Sequence, residues 1–116
     1  MMRLPSFEYR APGTIDEAAK WLAEDPSNTM LLSGGTDLLP NMKRRQQVPR
    51  TLVSLRHIDA LRSLRNGDGL TIGAGVTLTE VVRSAQVRDT CRGLWQAAAQ
   101  VATPHLRNMG TMGGNL

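Results

Sequence analysis

Residues 33–37 of the chain, Ser-Gly-Gly-Thr-Asp, could bind a phosphate group through their backbone. They follow Thr-Met-Leu-Leu, a run with strand character, and precede an apolar pair. Gly34 and Gly35 lack a Cβ, so the backbone can take a positive φ and approach another group closely. A strand that ends in such a turn directs backbone N–H groups outward, as a phosphate or pyrophosphate requires. The same pattern also occurs as an ordinary tight turn, and alone it leaves both interpretations open.

The turn differs from two other phosphate-binding patterns. No Gly-Lys-Ser/Thr follows it, so it is not a Walker loop. The Gly-x-Gly-x-x-Gly spacing is also missing, because Leu78 stands where Gly73 and Gly75 would require a third glycine. After the turn we expect a short helix that begins at Leu38, with Asp37 as its N-cap.

Composition limits the function further. The chain has 116 residues, 41% apolar and 21% charged, which is typical of one soluble globular domain at most. Aromatic residues make up 3%, too few for a nucleic-acid binder that stacks bases. A basic non-enzymatic module that binds nucleic acid or an acidic protein partner stays an alternative, although no recognition motif accompanies the charge. The net charge is +4. Residues 43–65 contain one acidic residue, Asp59, and the basic residues Lys43, Arg44, Arg45, Arg50, Arg56, Arg62 and Arg65.

The residues that usually bind metals are few and scattered. Cys91 is the single cysteine, which excludes an internal disulfide and a cysteine-based metal cluster in this sequence. His57 and His105 lie far apart in the sequence, so a zinc site has no support. Residues 1–10 lack the apolar core of a signal peptide, and no apolar run is long enough to cross a bilayer. We therefore expect a cytoplasmic protein with no metal ligands.

The first half of the chain has the pattern of a small βαβ unit. Strands are predicted at residues 7–10, 29–32 and 51–55, with a short helix to about residue 45 before the last of them. A longer helix is predicted from an N-cap at Thr14 or Asp16, and the parallel crossover should be right-handed. This helix ends at Glu24, and its expected apolar stripe is Ile15, Ala18, Ala19, Leu22 and Ala23.

The second half has a different pattern, so we place a boundary near residues 56–60. Asn-Gly-Asp-Gly at 66–69 predicts a hairpin between two short strands. A helix follows from Thr77 to Ser84, and another from Arg92 to Val101, after which Pro104 prevents its continuation. Leu94, Ala97, Ala98 and Val101 are expected to share the apolar face of this helix.

The chain closes with a second glycine-rich segment. Gly110, Gly113 and Gly114 predict another loop that exposes its backbone, and two such loops could hold the two ends of a dinucleotide. The sequence ends one residue beyond Gly-Gly-Asn without a closing element, so we expect it to be a fragment of a longer chain.

Together, the two segments resemble the FAD-binding subunit of the molybdenum hydroxylases. The matching runs are Ser-Gly-Gly-Thr-Asp-Leu-Leu-Pro at 33–40 and Thr-Met-Gly-Gly-Asn at 111–115. Pro-Gly-Thr at 12–14, Ile-Gly-Ala-Gly-Val-Thr at 72–77 and Pro104 also agree, so the resemblance covers essentially the whole chain. The family includes the flavin components of xanthine dehydrogenase and carbon monoxide dehydrogenase. It also includes the β subunit of 4-hydroxybenzoyl-CoA reductase, and the first run resembles this branch slightly more than the others.

The resemblance implies an α+β, two-subdomain FAD-binding fold of the vanillyl-alcohol-oxidase/CO-dehydrogenase-flavoprotein type. Residues 1–57 would form the first subdomain, a small βαβ unit, and residues 58–116 the incomplete start of a mixed second subdomain. Residues 32–38 would wrap the pyrophosphate, and Asn115 would orient the ligand. The implied FAD-binding residues are Leu32, Ser33, Gly34, Gly35, Thr36, Asp37, Leu38, Val101, Ala102, Gly110, Thr111, Gly113, Gly114 and Asn115.

The resemblance also implies an oxidoreductase component in a hetero-oligomer. A molybdenum-cofactor subunit would carry out the substrate chemistry, and electrons would pass between the clusters of an iron–sulfur subunit and FAD. No catalytic acid, base or nucleophile is expected in this chain, and neither nucleic acid nor a membrane span. A covalently attached flavin is disfavoured because the first turn has no His or Cys. With part of the cleft missing, the 116-residue chain alone should bind FAD poorly.

Overall fold

A computed structural model describes residues 3–116 of the chain. It divides into two compact units, which meet in the sequence between Ala60 and Leu61. A 3₁₀ turn, Asp59–Leu61, covers this junction, where a short helical turn was predicted. The assignment of the two units to two FAD-binding subdomains stays a prediction.

The first unit contains a parallel sheet of three strands. They are β1 (Glu8–Arg10), β2 (Thr29–Leu32) and β3 (Thr51–Ser54), in the order β1-β3-β2. The register aligns Leu52 with Tyr9 on one side and with Met30 on the other. Side chains of the central strand are buried on both faces of the sheet, as in other parallel sheets. This arrangement confirms the parallel βαβ unit predicted from the sequence.

Helix α1 (Ile15–Glu24) connects β1 to β2. Thr14 is its N-cap, and the Thr14 hydroxyl oxygen accepts a hydrogen bond from the Glu17 amide at 3.2 Å. The predicted apolar stripe is only partly correct. Ala18 is buried, whereas Ile15, Ala19 and Ala23 are exposed, because the short strands beneath the helix cover only part of its apolar face.

Helix α2 (Leu38–Lys43) connects β2 to β3 and buries Met42 completely. It ends earlier than predicted because Arg45 takes a left-handed φ of 61°. The Arg45 amide donates to the Met42 carbonyl at 3.0 Å, and the Gln46 amide donates to the Asn41 carbonyl at 2.9 Å. These two bonds form the Schellman arrangement, which stops a helix at a left-handed residue. The buried apolar side chains described in the first unit are Pro12, Ala18, Met42, Pro49, Leu52, Val53 and Ile58.

The second unit begins with the predicted hairpin. Strands β4 (Leu64–Asn66) and β5 (Leu70–Ile72) are antiparallel, and Asn66 pairs with Leu70. Asn66 therefore belongs to the strand, and the turn consists of residues 67–69. Gly69 has a φ of 135°, a conformation that a residue with a Cβ rarely adopts.

Three helices build most of the core of the second unit: α3 (Leu78–Arg83), α4 (Ala85–Thr90) and α5 (Arg92–Gln100). Helix α4 was not predicted. Ser84 ends α3 and also caps α4, since its hydroxyl oxygen accepts from the Val87 amide at 3.2 Å. Ala97, expected on the apolar face of α5, is exposed. The buried core consists of Val76, Leu78, Val81, Val87 and Ala98.

The carboxy-terminal segment is helical, whereas a loop was predicted. Helix α6 (Pro104–Met109) begins with Pro104 in its first turn, where the missing N–H is tolerated. A helical turn, α7 (Met112–Asn115), follows and contains the last two glycines. Within residues 3–116, no helix is long and apolar enough to cross a membrane.

Candidate functional site

The turn at residues 33–37 connects β2 to α2 and depends on glycine at position 35. Gly35 has a φ of 75°, in the left-handed region that other residues avoid. A Cβ at this position would lie 3.0 Å from the Leu32 Cδ1 atom and 3.1 Å from the Leu39 Cδ1 atom. The Gly35 carbonyl accepts the first hydrogen bond of the helix, from the Leu39 amide at 3.2 Å. The backbone conformation at this position therefore favours glycine, and a Cβ would also have to displace the ends of two leucine side chains.

The amide groups of this turn are available to a ligand. Among the described residues, the backbone amides at positions 34–38 donate no hydrogen bond to a protein acceptor. Gly34, Gly35 and Thr36 are half-buried, so the turn is neither enclosed in the core nor fully exposed to solvent. Consecutive donors of this kind suit an anionic oxygen, and a diphosphate offers several such oxygens. The first turn thus has backbone donors of the kind that phosphate binding requires, and the binding itself stays a prediction.

Asp37 precedes α2, as predicted, but the prediction that its side chain caps the helix is wrong. Its φ of −105° and ψ of −43° are helical, and its side chain makes no capping hydrogen bond. An N-cap residue normally has an extended backbone, which aims its side chain at the following amides. Because Asp37 lacks that backbone, the amides of the first turn of α2 are not covered by its carboxylate.

The second glycine-rich segment, residues 110–115, has a different hydrogen-bond pattern. The Met112 amide donates to the Val76 carbonyl and the Gly113 amide to the Ala74 carbonyl, each at 2.9 Å. The Gly114 amide donates to the Thr111 hydroxyl oxygen at 3.1 Å, and the Asn115 amide to the Thr111 carbonyl at 3.0 Å. The prediction of a loop with exposed backbone donors is therefore wrong for these residues. The amides of residues 112–115 are used within the protein.

Gly113 is required for packing rather than for access to a ligand. A Cβ at this position would lie 2.8 Å from the Ala74 Cβ atom and 3.1 Å from the Ala74 carbonyl oxygen. Thr111 is buried and pairs with Thr77 in an isolated β-bridge. It is also the N-cap of α7. The Asn115 side chain is exposed and can reach a ligand. The segment from Ala74 to Thr77 thus positions residues 110–115, a role that the family resemblance of residues 72–77 did not indicate.

Val101 and Ala102 lie between α5 and α6, in the same unit as the second segment. Ala102 has a φ of 50°, which is unusual for a residue other than glycine. The Arg107 Nη1 atom donates a hydrogen bond to the Val101 carbonyl at 2.8 Å. Sequence reasoning did not single out Arg107, and an arginine in a short helix gives no signal of such a contact.

The remaining candidates make no site. His57 and His105 are both exposed, and His105 lies in the first turn of α6. Cys91 is exposed and reduced. In the part of the chain that the structure describes, no group of His, Cys, Asp and Glu residues could hold a metal ion.

Comparison with solved structures gives the same fold. The chain superimposes on carbon monoxide dehydrogenase from Hydrogenophaga pseudoflava with a TM-score of 0.95 and 38% identity, covering 98% of this chain and 40% of that one. Quinoline 2-oxidoreductase from Pseudomonas putida 86 gives a TM-score of 0.93 and 36% identity, with 97% and 40% covered. The mixed helix-and-sheet fold predicted for a flavoprotein of the CO-dehydrogenase type is confirmed.

Sequence comparison identifies relatives of the same kind. The carbon monoxide dehydrogenase medium chain of Hydrogenophaga pseudoflava is 38% identical over 113 residues, and the nicotinate dehydrogenase FAD-subunit of Eubacterium barkeri is 33% identical over 115. Each alignment covers 97% of this chain but 39% of the relative, so the chain spans about two-fifths of their length. The protein-family model described as the FAD binding domain in molybdopterin dehydrogenase matches residues 5–116. The chain belongs to this family of FAD-binding domains.

Proposed function

We propose that the turn at residues 33–37 holds the diphosphate of FAD. The observation that carries the proposal is the row of amides at positions 34–38, which have no acceptor within the described protein, next to Gly35, whose left-handed backbone disfavours a residue with a Cβ. The Thr36 hydroxyl can add one further donor. Leu32 and Leu38 flank the turn at the end of β2 and the start of α2, which hold it on regular structure. The turn needs no basic side chain, because backbone donors supply the complementary dipoles.

In this proposal the second unit contributes through side chains and shape. The amides of Gly113, Gly114 and Asn115 already have acceptors, so the carboxamide of Asn115 becomes the main polar group offered to the cofactor. Thr111 acts by fixing α7 rather than by contact through its buried hydroxyl. The full set of proposed FAD-binding residues is Leu32, Ser33, Gly34, Gly35, Thr36, Asp37, Leu38, Val101, Ala102, Gly110, Thr111, Gly113, Gly114 and Asn115.

The relatives are about two and a half times as long as this chain. The whole protein would act as the FAD-binding subunit of a molybdenum-containing hydroxylase or dehydrogenase. FAD, when bound, takes up and passes on electrons, and the residues of this chain bind and orient it. The names of the relatives, a medium chain and a FAD-subunit, support membership in a multi-subunit complex. We propose an iron–sulfur subunit and a molybdenum-cofactor subunit as partners, in the cytoplasm. The similarity to 4-hydroxybenzoyl-CoA reductase stays a prediction.

The alternative of a basic module that binds nucleic acid or an acidic protein is not supported. The family and the relatives described above are FAD-binding components of dehydrogenases. Within the basic stretch, Arg45 already donates hydrogen bonds to the Arg3 carbonyl at 2.7 Å and to the Met42 carbonyl at 3.2 Å. This guanidinium group stabilises the fold of the first unit.

Flavin binding by the protein expressed from its complete reading frame tests the proposal. Gly35→Val places a β-branched side chain at a position with a left-handed backbone, next to the amides that lack acceptors. We expect FAD affinity to fall at least about tenfold. Gly13→Val is the matched control, because a Cβ at Gly13 meets no atom within 4 Å and its φ is not positive. FAD affinity equal to wild type in Gly35→Val, measured by flavin fluorescence titration, would contradict the proposal.

A further inference from the structure

Ala102 has a left-handed backbone that the end of helix α5 does not explain. Left-handed residues often follow a helix, and Arg45 does so after α2 with two hydrogen bonds of the Schellman type. After α5, the C-cap Val101 is extended, and among the described residues the amides of Ala102 and Thr103 donate no comparable bond to the helix. The unfavourable conformation of Ala102 must therefore be held by another contact.

Arg107 supplies that contact. Its backbone amide belongs to α6 and donates to the Thr103 carbonyl at 2.9 Å, while its Nη1 atom reaches back to the Val101 carbonyl at 2.8 Å. The Val101 carbonyl is part of the peptide plane that precedes Ala102, so fixing this carbonyl restricts the φ of Ala102. The Arg107 side chain is half-buried, which strengthens a charge-assisted hydrogen bond relative to one in open solvent.

We infer that Arg107 is a positioning residue for FAD, which acts by holding Val101 and Ala102 in the conformation that contacts the cofactor. The inference rests on the proposed function, which places these two residues in the FAD site. Strained backbone that is held by its surroundings is concentrated at ligand-binding sites. Arg107 itself need not touch the cofactor, because its guanidinium group is directed at the protein backbone.

Flavin affinity and rescue by glycine test this inference in the protein expressed from its complete reading frame. Arg107→Met removes the tether, and we expect the Kd for FAD to rise about tenfold, since an untethered alanine seldom stays left-handed. Adding Ala102→Gly removes the steric cost of that conformation and should bring the Kd back to within about threefold of wild type. Arg88→Met is the matched control, because the exposed Arg88 side chain hydrogen-bonds to the neighbouring Asp89 and holds no backbone carbonyl in the described structure. The Kd of this variant for FAD should not change.

The outcomes separate this inference from the proposed function. A wild-type protein that does not bind FAD overturns both. If wild type binds FAD and Arg107→Met binds equally well, only the role of Arg107 is overturned. If Arg107→Met lowers the affinity for FAD and Ala102→Gly fails to restore it, the role of Arg107 is also overturned. Arg107 would then act by a route other than the backbone of Ala102. Should Arg107→Met not fold, Arg107→Lys serves in its place, with an expected rise of about threefold that Ala102→Gly reverses.

Discussion

The two glycine-rich segments look alike in sequence but differ in structure. In the first, at residues 33–37, Gly35 provides a left-handed turn, and the amides at 34–38 have no acceptor in the described protein. In the second, at residues 110–115, Gly113 allows close contact with Ala74, and the amides of residues 112–115 all have protein acceptors. Glycine therefore permits a left-handed turn in one segment and close packing against a neighbour in the other.

This difference changes what each segment can contribute to a flavin site. Backbone donors that lack partners are a ready source of binding energy for an anion, because no internal hydrogen bond is lost when the ligand arrives. Donors that are already paired contribute rigidity instead. The first segment is thus suited to donate hydrogen bonds to an anion, and the second to hold the backbone around Asn115 in place.

The largest expected effect is on the stability of the second unit. Gly113→Ala places a Cβ 2.8 Å from the Ala74 Cβ atom, and we expect the free energy of unfolding to fall by up to about 3 kcal/mol in urea denaturation. Gly93→Ala in α5 is the matched control. Its Cβ meets no atom within 4 Å, so the same substitution should raise stability by about 0.5–1 kcal/mol. If both variants were equally stable, the close contact with Ala74 would not be the reason for glycine at position 113.

Gly35→Ala should have a smaller effect on stability, although the position is strained. The left-handed φ of 75° costs about 1–2 kcal/mol for a residue with a Cβ. The two leucine Cδ1 atoms nearest the new Cβ are ends of flexible side chains and can move away. We expect a decrease in this range by urea denaturation, with no change for Gly13→Ala. A decrease larger than that of Gly113→Ala would reverse the comparison between the two segments.

Thr111→Ala should lower stability by about 1 kcal/mol, because the hydroxyl oxygen that accepts from the Gly114 amide is lost. Thr14→Ala removes an equivalent cap at the exposed start of α1 and provides the reference. Since Thr111 is buried and Thr14 is exposed, we expect the Thr111 variant to be at least as destabilised in thermal and urea unfolding. A stable Thr111→Ala protein would show that α7 does not depend on its cap.

Asp37→Ala should have the smallest effect, within about 0.5 kcal/mol, because the structure shows no capping hydrogen bond from this side chain. Thr77→Ala, which removes the 3.1 Å bond from the Glu80 amide to the Thr77 hydroxyl oxygen, should cost about 1 kcal/mol by the same measurement. A loss for Asp37→Ala as large as that for Thr77→Ala would mean that Asp37 caps α2 after all.

The features predicted correctly are those that depend on neighbouring residues. The caps at Thr14 and Thr77 need only an amide three residues onward, and the hairpin needs only the turn residues between its strands. The strand β2 and the turn after it were likewise predicted, since strand residues followed by two glycines form a local pattern.

The features that were missed depend on contacts between distant residues. Two glycines normally break a helix, yet α7 forms because the amides of Met112 and Gly113 bond to the segment at Val76 and Ala74. Nothing local predicts the left-handed backbone of Ala102, because alanine disfavours that region and the contact that holds it comes from Arg107.

Amide hydrogen exchange, measured with and without FAD on the protein expressed from its complete reading frame, tests the central claim most directly. We expect peptides covering residues 34–38 to exchange quickly without FAD and to become protected when FAD is added. Peptides covering residues 112–115 should be protected in both states, because their amides are bonded within the protein. If FAD binds and the exchange of residues 34–38 does not change, the first turn is not the diphosphate site.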